Sequence, residues 1–245
     1  MLLSPHAVLA DAPSCPADYS DERVISARIF DGDTLALSDG RRVRLLGIDT
    51  PEIGHDGEPS EPYAEEAKAL LARLAEPGAT LRLRLDSDRF DRYGRLLAHV
   101  FADDGSNVQA QLLAAGYAAT LVVPPNEWSS ACYAAAQARA RKSRIGIWGL
   151  EDYQPIPAEK LADSARGFRL VTGRVQRVGE SRANLWLNLS SQMAVRIPKR
   201  DLPYFGDLDP RALAGQRLEV RGLVQKRHGE LRITVRHRAA LTVLD

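Results

Sequence analysis

The sequence has 245 residues, 44% of them hydrophobic and 27% charged, which fits folded domains and excludes extensive disorder. That length is comfortable for two domains, and no run of about eighteen apolar residues is present to cross a membrane as a helix. The formal net charge of +1 hides a split: from residue 165 onward sixteen Lys+Arg face seven Asp+Glu, a net of +9, which leaves −8 for residues 1–164. An acidic half could hold a metal and a basic half a polyanion; equally, both could be ordinary solvated surfaces.

Residues 1–22 read as a leader rich in Ala, Pro and Ser. Val8-Leu9-Ala10 looks like a small-residue cleavage site, but the apolar stretch before it is short, broken by Pro5 and His6, and has no basic start. It is either the tail of a signal peptide that begins upstream or a loose leader. Export, periplasmic or secreted, is the expectation, with cytoplasmic residence as the alternative. The two cysteines, Cys15 and Cys132, cannot form a tetrahedral zinc site unaided. They are either one disulfide, as suits an exported chain, or two unrelated buried thiols.

From residue 23 the pattern becomes regular. Val24–Phe30, Thr34–Leu37 and Arg41–Ile48 alternate as three strands joined by the Asp31-Gly32 and Ser38-Asp39-Gly40 turns, an antiparallel meander. A polar loop, Gly54–Pro62, leads to an amphipathic helix over Tyr63–Ala75, with Ala67, Leu70, Leu71 and Leu74 on one face, stopped by Pro77-Gly78. Thr80–Leu85 and Leu96–Phe101 read as a hairpin across the loop Asp86–Gly94. Asn107 caps a helix that Gly116 ends, and a further helix spans Trp128–Arg144. The expected fold is α+β and mainly β: a five-stranded Greek-key barrel of OB type with three helices over residues 23–149. Residues 150–166, with Pro155 and Pro157, read as a linker. Residues 167–245 read as a second, basic β-barrel of OB type, with strands at Phe168–Val178, Leu185–Leu189, Ala194–Ile197, Arg217–Val224 and Leu231–Val235.

Chemistry-bearing residues collect at strand ends of the first domain. Asp33 follows a turn, Arg44 lies in the third strand, Asp49-Thr50-Pro51-Glu52 ends it, and Arg95 opens a hairpin strand. Singly, turn chemistry and solvated arginines explain each. Together, carboxylates without His or Cys partners suit a hard cation with oxygen ligands, and two guanidiniums can grip phosphate oxygens bidentately. That set amounts to a metal, a base and charge stabilisers for water attack on a phosphodiester. His55 and His99 lack any partner for nucleophilic catalysis, and Tyr117 and Trp148 read as packing.

The stretches DGDT (31–34), VRLLGIDTPE (43–52), DRYGR (91–95) and GIWG (146–149) closely resemble those of the staphylococcal nuclease, or thermonuclease, family, in order and spacing across residues 23–149. The resemblance implies a calcium-dependent nuclease acting on DNA and RNA and leaving 3′-phosphate ends. It implies that Asp33, Asp49 and the Thr50 carbonyl bind Ca2+, that Glu52 acts on water as general base, and that Arg44 and Arg95 clamp the scissile phosphate. Arg92 and Tyr93 match positions that contact a terminal phosphate of bound nucleotide. One departure is Leu121-Val122-Val123-Pro124-Pro125-Asn126, where the type member carries two aromatic residues; base stacking there is expected to be weaker or different. The acidic loop 54–62, with Asp56, Glu58 and Glu61, should repel a nucleic acid strand. The competing reading is a non-catalytic nucleic-acid- or protein-binding module on the same fold, which would be expected to have lost the base or an arginine. No protein partner is evident. The basic second domain either holds the substrate strand or is a structural appendage; its aromatics, Phe168, Trp186, Tyr204 and Phe205, are few.

Overall fold

The computed structural model describes residues 14–244. Most of the expected leader therefore lies outside the described residues. Among these, one compact unit runs through Leu121 and takes in Pro125–Gly149; the second takes in Val122–Pro124 and the chain from Leu150 onward. No helix among the described residues is long and apolar enough to cross a membrane.

In the first unit, β1 (Glu22–Ile29), β2 (Thr34–Leu37) and β3 (Arg42–Leu45) form the meander, and β5 (Thr80–Phe90) and β6 (Leu96–Ala102) the hairpin. The barrel closes in the order β1-β2-β3-β6-β5, with β3 and β6 parallel and β5 returning to β1. Alternation drives it: Leu81, Leu83 and Leu85 point inward from β5 while the intervening Arg82 and Arg84 point outward. Helix α1 (Ala64–Leu74) buries Ala64, Ala67, Leu70 and Leu71 along one stripe. Helix α2 (Val108–Ala114) begins at Asn107, whose side chain accepts from Ala110 N at 2.9 Å, and α3 (Ser130–Lys142) lies against it. The expected barrel with three helices is present.

Two elements differ from expectation. The run Arg41–Ile48 is not one strand. Gly47 takes φ +80°, in the left-handed region, and a Cβ there would lie 2.7 Å from the Tyr133 ring. Beyond that kink β4 (Ile48–Asp49) leaves the barrel and pairs with β7 (Ala119–Thr120). The segment 86–94, expected as a loop, begins as a continuation of β5 to Phe90, with a register irregularity after Leu85, and only Asp91–Gly94 turns.

Cys15 and Cys132 form a disulfide with Cα atoms 5.7 Å apart, joining the N-terminal segment to α3.

The second unit is a second β domain built on β9 (Gly167–Arg174), β10 (Arg177–Glu180), β11 (Asn184–Asn188), β12 (Met193–Pro198), β13 (Arg217–Arg227) and β14 (Glu230–Thr234). The short β8 (Pro155–Pro157) pairs with β9, and β15 (Leu241–Leu244) pairs with β13. The ladder runs β10-β11-β12-β14-β13-β9, eight strands in all with β8 and β15, instead of a closed five-stranded barrel. The run Phe168–Val178 is interrupted at Val175-Gln176, so its two halves separate: β10 ends the path on one side, and β9 lies toward the other, between β13 and β8. The stretch 150–166, expected as a linker, belongs to this unit: Ala158, Leu161 and Ala165 are buried in its core and Ile156 packs against it.

Candidate active site

The turn after β1 sets the first carboxylate. Asp31 Oδ1 accepts from Asp33 N at 2.9 Å, an Asx turn that aims Asp33 inward, where it is only 5% exposed. Gly32 has no space for a side chain: a Cβ would meet Ala67 Cβ at 2.6 Å and Thr50 Oγ1 at 2.8 Å. Helix α1 and the strand end at Thr50 therefore press directly on this turn. The β4–β7 pairing of Asp49 with Ala119 fixes the second carboxylate.

Arg44 joins the two. Its Nη2 lies 3.0 Å from Asp33 Oδ2 and 3.1 Å from Asp49 Oδ1, while Nη1 donates to the carbonyls of Leu45 (2.7 Å) and Ile48 (3.0 Å). Thr34 Oγ1 donates to Asp33 Oδ1 at 3.0 Å, and Thr50 N donates to Asp33 Oδ2 at 3.3 Å. Arg95 arrives from the start of β6. Asp91 orients it, accepting from its backbone N (3.0 Å) and Nε (2.8 Å), and its Nη1 reaches Thr34 Oγ1 at 3.4 Å. Asp33, Arg44, Asp49, Thr50 and Arg95 are thus one connected group.

Glu52 stands on the solvent side. Its backbone N donates to Glu61 Oε2 at 2.9 Å, and Glu61 N returns the bond to Glu52 O at 2.9 Å. Partial enclosure raises the Glu52 pKa, with the Asp31 and Asp49 charges adding to the rise and Arg44 opposing it. Arg92 and Tyr93 sit at the exposed hairpin tip. The Arg92 guanidinium lies 4.7 Å over the Tyr93 ring and that of Arg95 5.6 Å from it.

The charge balance bears on whether a metal ion suits this place. Burial pushes the Asp33 carboxyl up to about 7 and raises Asp49 as well, in each case outweighing the pull of Arg44. One guanidinium thus contacts a buried carboxylate, Asp33, and a half-buried one, Asp49, with Asp31 and Glu52 adding negative charge nearby. A site of oxygen donors short of positive charge suits a hard divalent cation. Among the described residues no three His, Cys, Asp or Glu side chains gather into a ready metal cage. The donors would be the Asp33 and Asp49 carboxylates with the Thr50 carbonyl, completed by water.

Sequence reasoning placed Asp31, Asp91 and Glu61 only in a turn, a motif and a loop, and missed the support that they give to the site. Asp31 builds the turn, Asp91 holds Arg95, and Glu61 holds the Glu52 backbone. A local signal existed for two of them, since Asp favours the Asx turn, in which it accepts from the backbone N two residues on, as Asp31 does from Asp33 and Asp91 from Tyr93; Glu61 had none.

A family model described as staphylococcal nuclease homologue matches residues 42–149. "Thermonuclease" of Staphylococcus intermedius is 34% identical over 134 residues, covering 54% of this chain and 79% of that protein. "Endonuclease YncB" of Bacillus subtilis (strain 168) is 36% identical over 131 residues, 51% of this chain and 61% of the relative. "Endonuclease YhcR" of the same organism is 28% identical over 204 residues, which is 79% of this chain but only 16% of that much longer protein. That last match is longer than the first unit and so continues into the second. With its barrel closed, its carboxylate–guanidinium group assembled and most of a thermonuclease matched, the chain belongs to the staphylococcal nuclease family.

Proposed function

We propose that the protein is a calcium-dependent nuclease that hydrolyses phosphodiester bonds of DNA and RNA and leaves 3′-phosphate ends. The observation that carries this reading is the convergence of Asp33 and Asp49 on Arg44 Nη2, with Arg95 beside them through Thr34. Relatives named thermonuclease and endonuclease support it. Asp33, Asp49 and the Thr50 carbonyl would hold the cation, which when bound polarises a phosphate oxygen and acidifies water. Glu52, with its raised pKa, takes the proton of the attacking water as general base. Arg95 has Nη2 without a hydrogen-bond partner among the described residues and turns it to the phosphate. Arg44 has both terminal nitrogens engaged by protein oxygens, so it grips a phosphate only by exchanging one of them. Charge building on the phosphoryl oxygens is met by these two guanidiniums, and the bond to the 5′ oxygen breaks. Arg92 and Tyr93 bind a terminal phosphate of the nucleotide. The Cys15–Cys132 disulfide supports export to an oxidising compartment.

The test is cleavage of single- and double-stranded DNA and of RNA with calcium, with magnesium and with chelator, followed by end analysis. Calcium-dependent cleavage with 3′-phosphate ends is expected, and Glu52→Ser should lower kcat by about 10²–10⁴-fold. Undiminished hydrolysis by that variant would sink the mechanism.

A further inference from the structure

Strand β11 sends Leu185 and Leu187 into the second core and Asn184, Trp186 and Asn188 to the outer face. A tryptophan on the outside of a sheet needs a reason, and its neighbours supply one. Opposite Trp186 on β10 stands Gly179, where a Cβ would meet nothing within 4 Å. Opposite Asn188 on β12 stands Ala194, whose own neighbour on β14 is Arg232. The two small residues leave a trough of about 280 Å³ along the face, lined by Arg177, Trp186, Asn188, Glu230 and Arg232. It is too small for a drug-sized ligand but has room for one planar ring system.

The chemistry of the walls narrows the occupant. The Arg232 guanidinium lies 4.8 Å over the Trp186 ring, so a flat cation and a flat aromatic already stack there. Asn188 Oδ1 and Arg232 Nε are buried with no hydrogen-bond partner among the described residues. An acceptor and a donor left unmet in one trough are costly unless a ligand satisfies both. Glu230 neutralises part of Arg232, with Nη2 at 3.0 Å. Arg177 remains, and Arg196, beside Trp186 on β12 and held by Asn184 Oδ1 at 2.8 Å, adds a third guanidinium to the face. The domain that carries this face is the basic part of the chain.

We propose that this trough takes an unpaired nucleobase: the ring stacks on Trp186, its edge bonds to Asn188 and Arg232, and the flanking phosphates lie on Arg177 and Arg196. The second unit then selects single-stranded over duplex nucleic acid, because a paired base presents no open face to the indole. The inference rests on the nuclease reading for the identity of its strand, but not on cleavage.

The test uses the full chain in chelator, with a fluorescein-labelled single-stranded DNA oligonucleotide and a duplex of the same length, followed by anisotropy. Trp186→Ala should weaken single-strand binding by roughly 5- to 150-fold, the equivalent of about 1–3 kcal/mol of stacking, while Trp186→Phe keeps most of it. Duplex affinity should change less than about twofold. Gly179→Leu, which fills the trough without removing a core contact, should reproduce the loss and guards against a misfolded alanine variant. Unchanged single-strand affinity in Trp186→Ala and Gly179→Leu overturns the proposal. So does an equal loss for duplex, which would mean that only charge is at work. In a separate arm, dinucleotide cleavage by the unsubstituted chain with calcium reports on the nuclease reading alone.

Discussion

The two units pair their strands in the same order, yet one gathers carboxylates and the other guanidiniums. In the first, the ladder β1-β2-β3-β6-β5 returns to β1. In the second, β10-β11-β12-β14-β13 leads to β9, the front half of the run that β10 continues, with the short β8 beyond it. Each has a three-strand meander that meets a hairpin through a parallel junction (β3 with β6, β12 with β14), and the second unit adds a further parallel pair, β8 with β9. What differs is the connection after the third strand of the meander. In the first unit residues 46–79 carry Asp49, Thr50, Glu52 and helix α1; in the second, residues 199–216 hold only two short 3₁₀ turns. The pairing order thus specifies a scaffold, and the inserted segment decides whether the scaffold has an acidic centre.

The sharpest way to break that comparison is to spoil the centre without touching the scaffold. Arg44→Lys keeps the charge but cannot bridge Asp33 and Asp49 while also holding the Leu45 and Ile48 carbonyls. It should lose about 10²–10³-fold in kcat, read by nucleic acid cleavage, with the barrel still folded by circular dichroism. Retained activity would show that the bridge is incidental.

A second prediction sets one glycine against another. Gly32→Ala forces a Cβ into Ala67 and Thr50 and should cost about 1–3 kcal/mol in urea unfolding. Gly179→Ala, in the open trough of the second unit, should change stability by no more than a few tenths of a kcal/mol. Equal costs at the two sites would contradict the packing described for the turn.

The smallest effect concerns pH and belongs to the first unit alone. His99 is buried, and desolvation lowers its pKa even though Asp86 opposes the change. Its Nδ1 lies 2.8 Å from Tyr133 OH, while Nε2 is 3.8 Å from Asp86 Oδ2, beyond hydrogen-bond reach; Arg84 and the Trp128 ring complete its surroundings. Asp86, held at about 2, stays ionised throughout the range. The folded state therefore resists a proton that the unfolded chain accepts below about 6.5. The His99 contribution to stability is constant above that pH and falls as pH drops below it, by at most about 1.4 kcal/mol per pH unit. Urea titrations at pH 7.5 and 5.5, compared with His99→Gln, measure it; identical pH slopes would discount the histidine.

Much of this architecture was legible in the sequence because it is locally encoded. Alternating Leu and Arg mark β5, Asn107 marks the start of α2, and the turn Asp31-Gly32 places Asp33. The connected group of Asp33, Arg44, Asp49 and Arg95 was readable from motif order. The rest needed information from far along the chain. The break at Gly47 depends on Tyr133, eighty-six positions later. The segment 150–166 resembles a linker because Ile156, Ala158, Leu161 and Ala165 follow no period, yet they find a core. The trough at Trp186 exists only once four strands, β10, β11, β12 and β14, are in register, so counting aromatics could not reveal it.

The disulfide has one more consequence. Cys15 and Cys132 close a covalent ring around residues 33–95, and within that ring the tip 55–62 is the exposed stretch that connects β4 to α1. A protease that nicked this tip would cut the chain without releasing either piece, because the fragments on each side of the cut stay tethered through Cys15 and Cys132. The nicked protein would migrate as one band without reductant and as two with it, with both halves of the acidic centre still held in the same barrel.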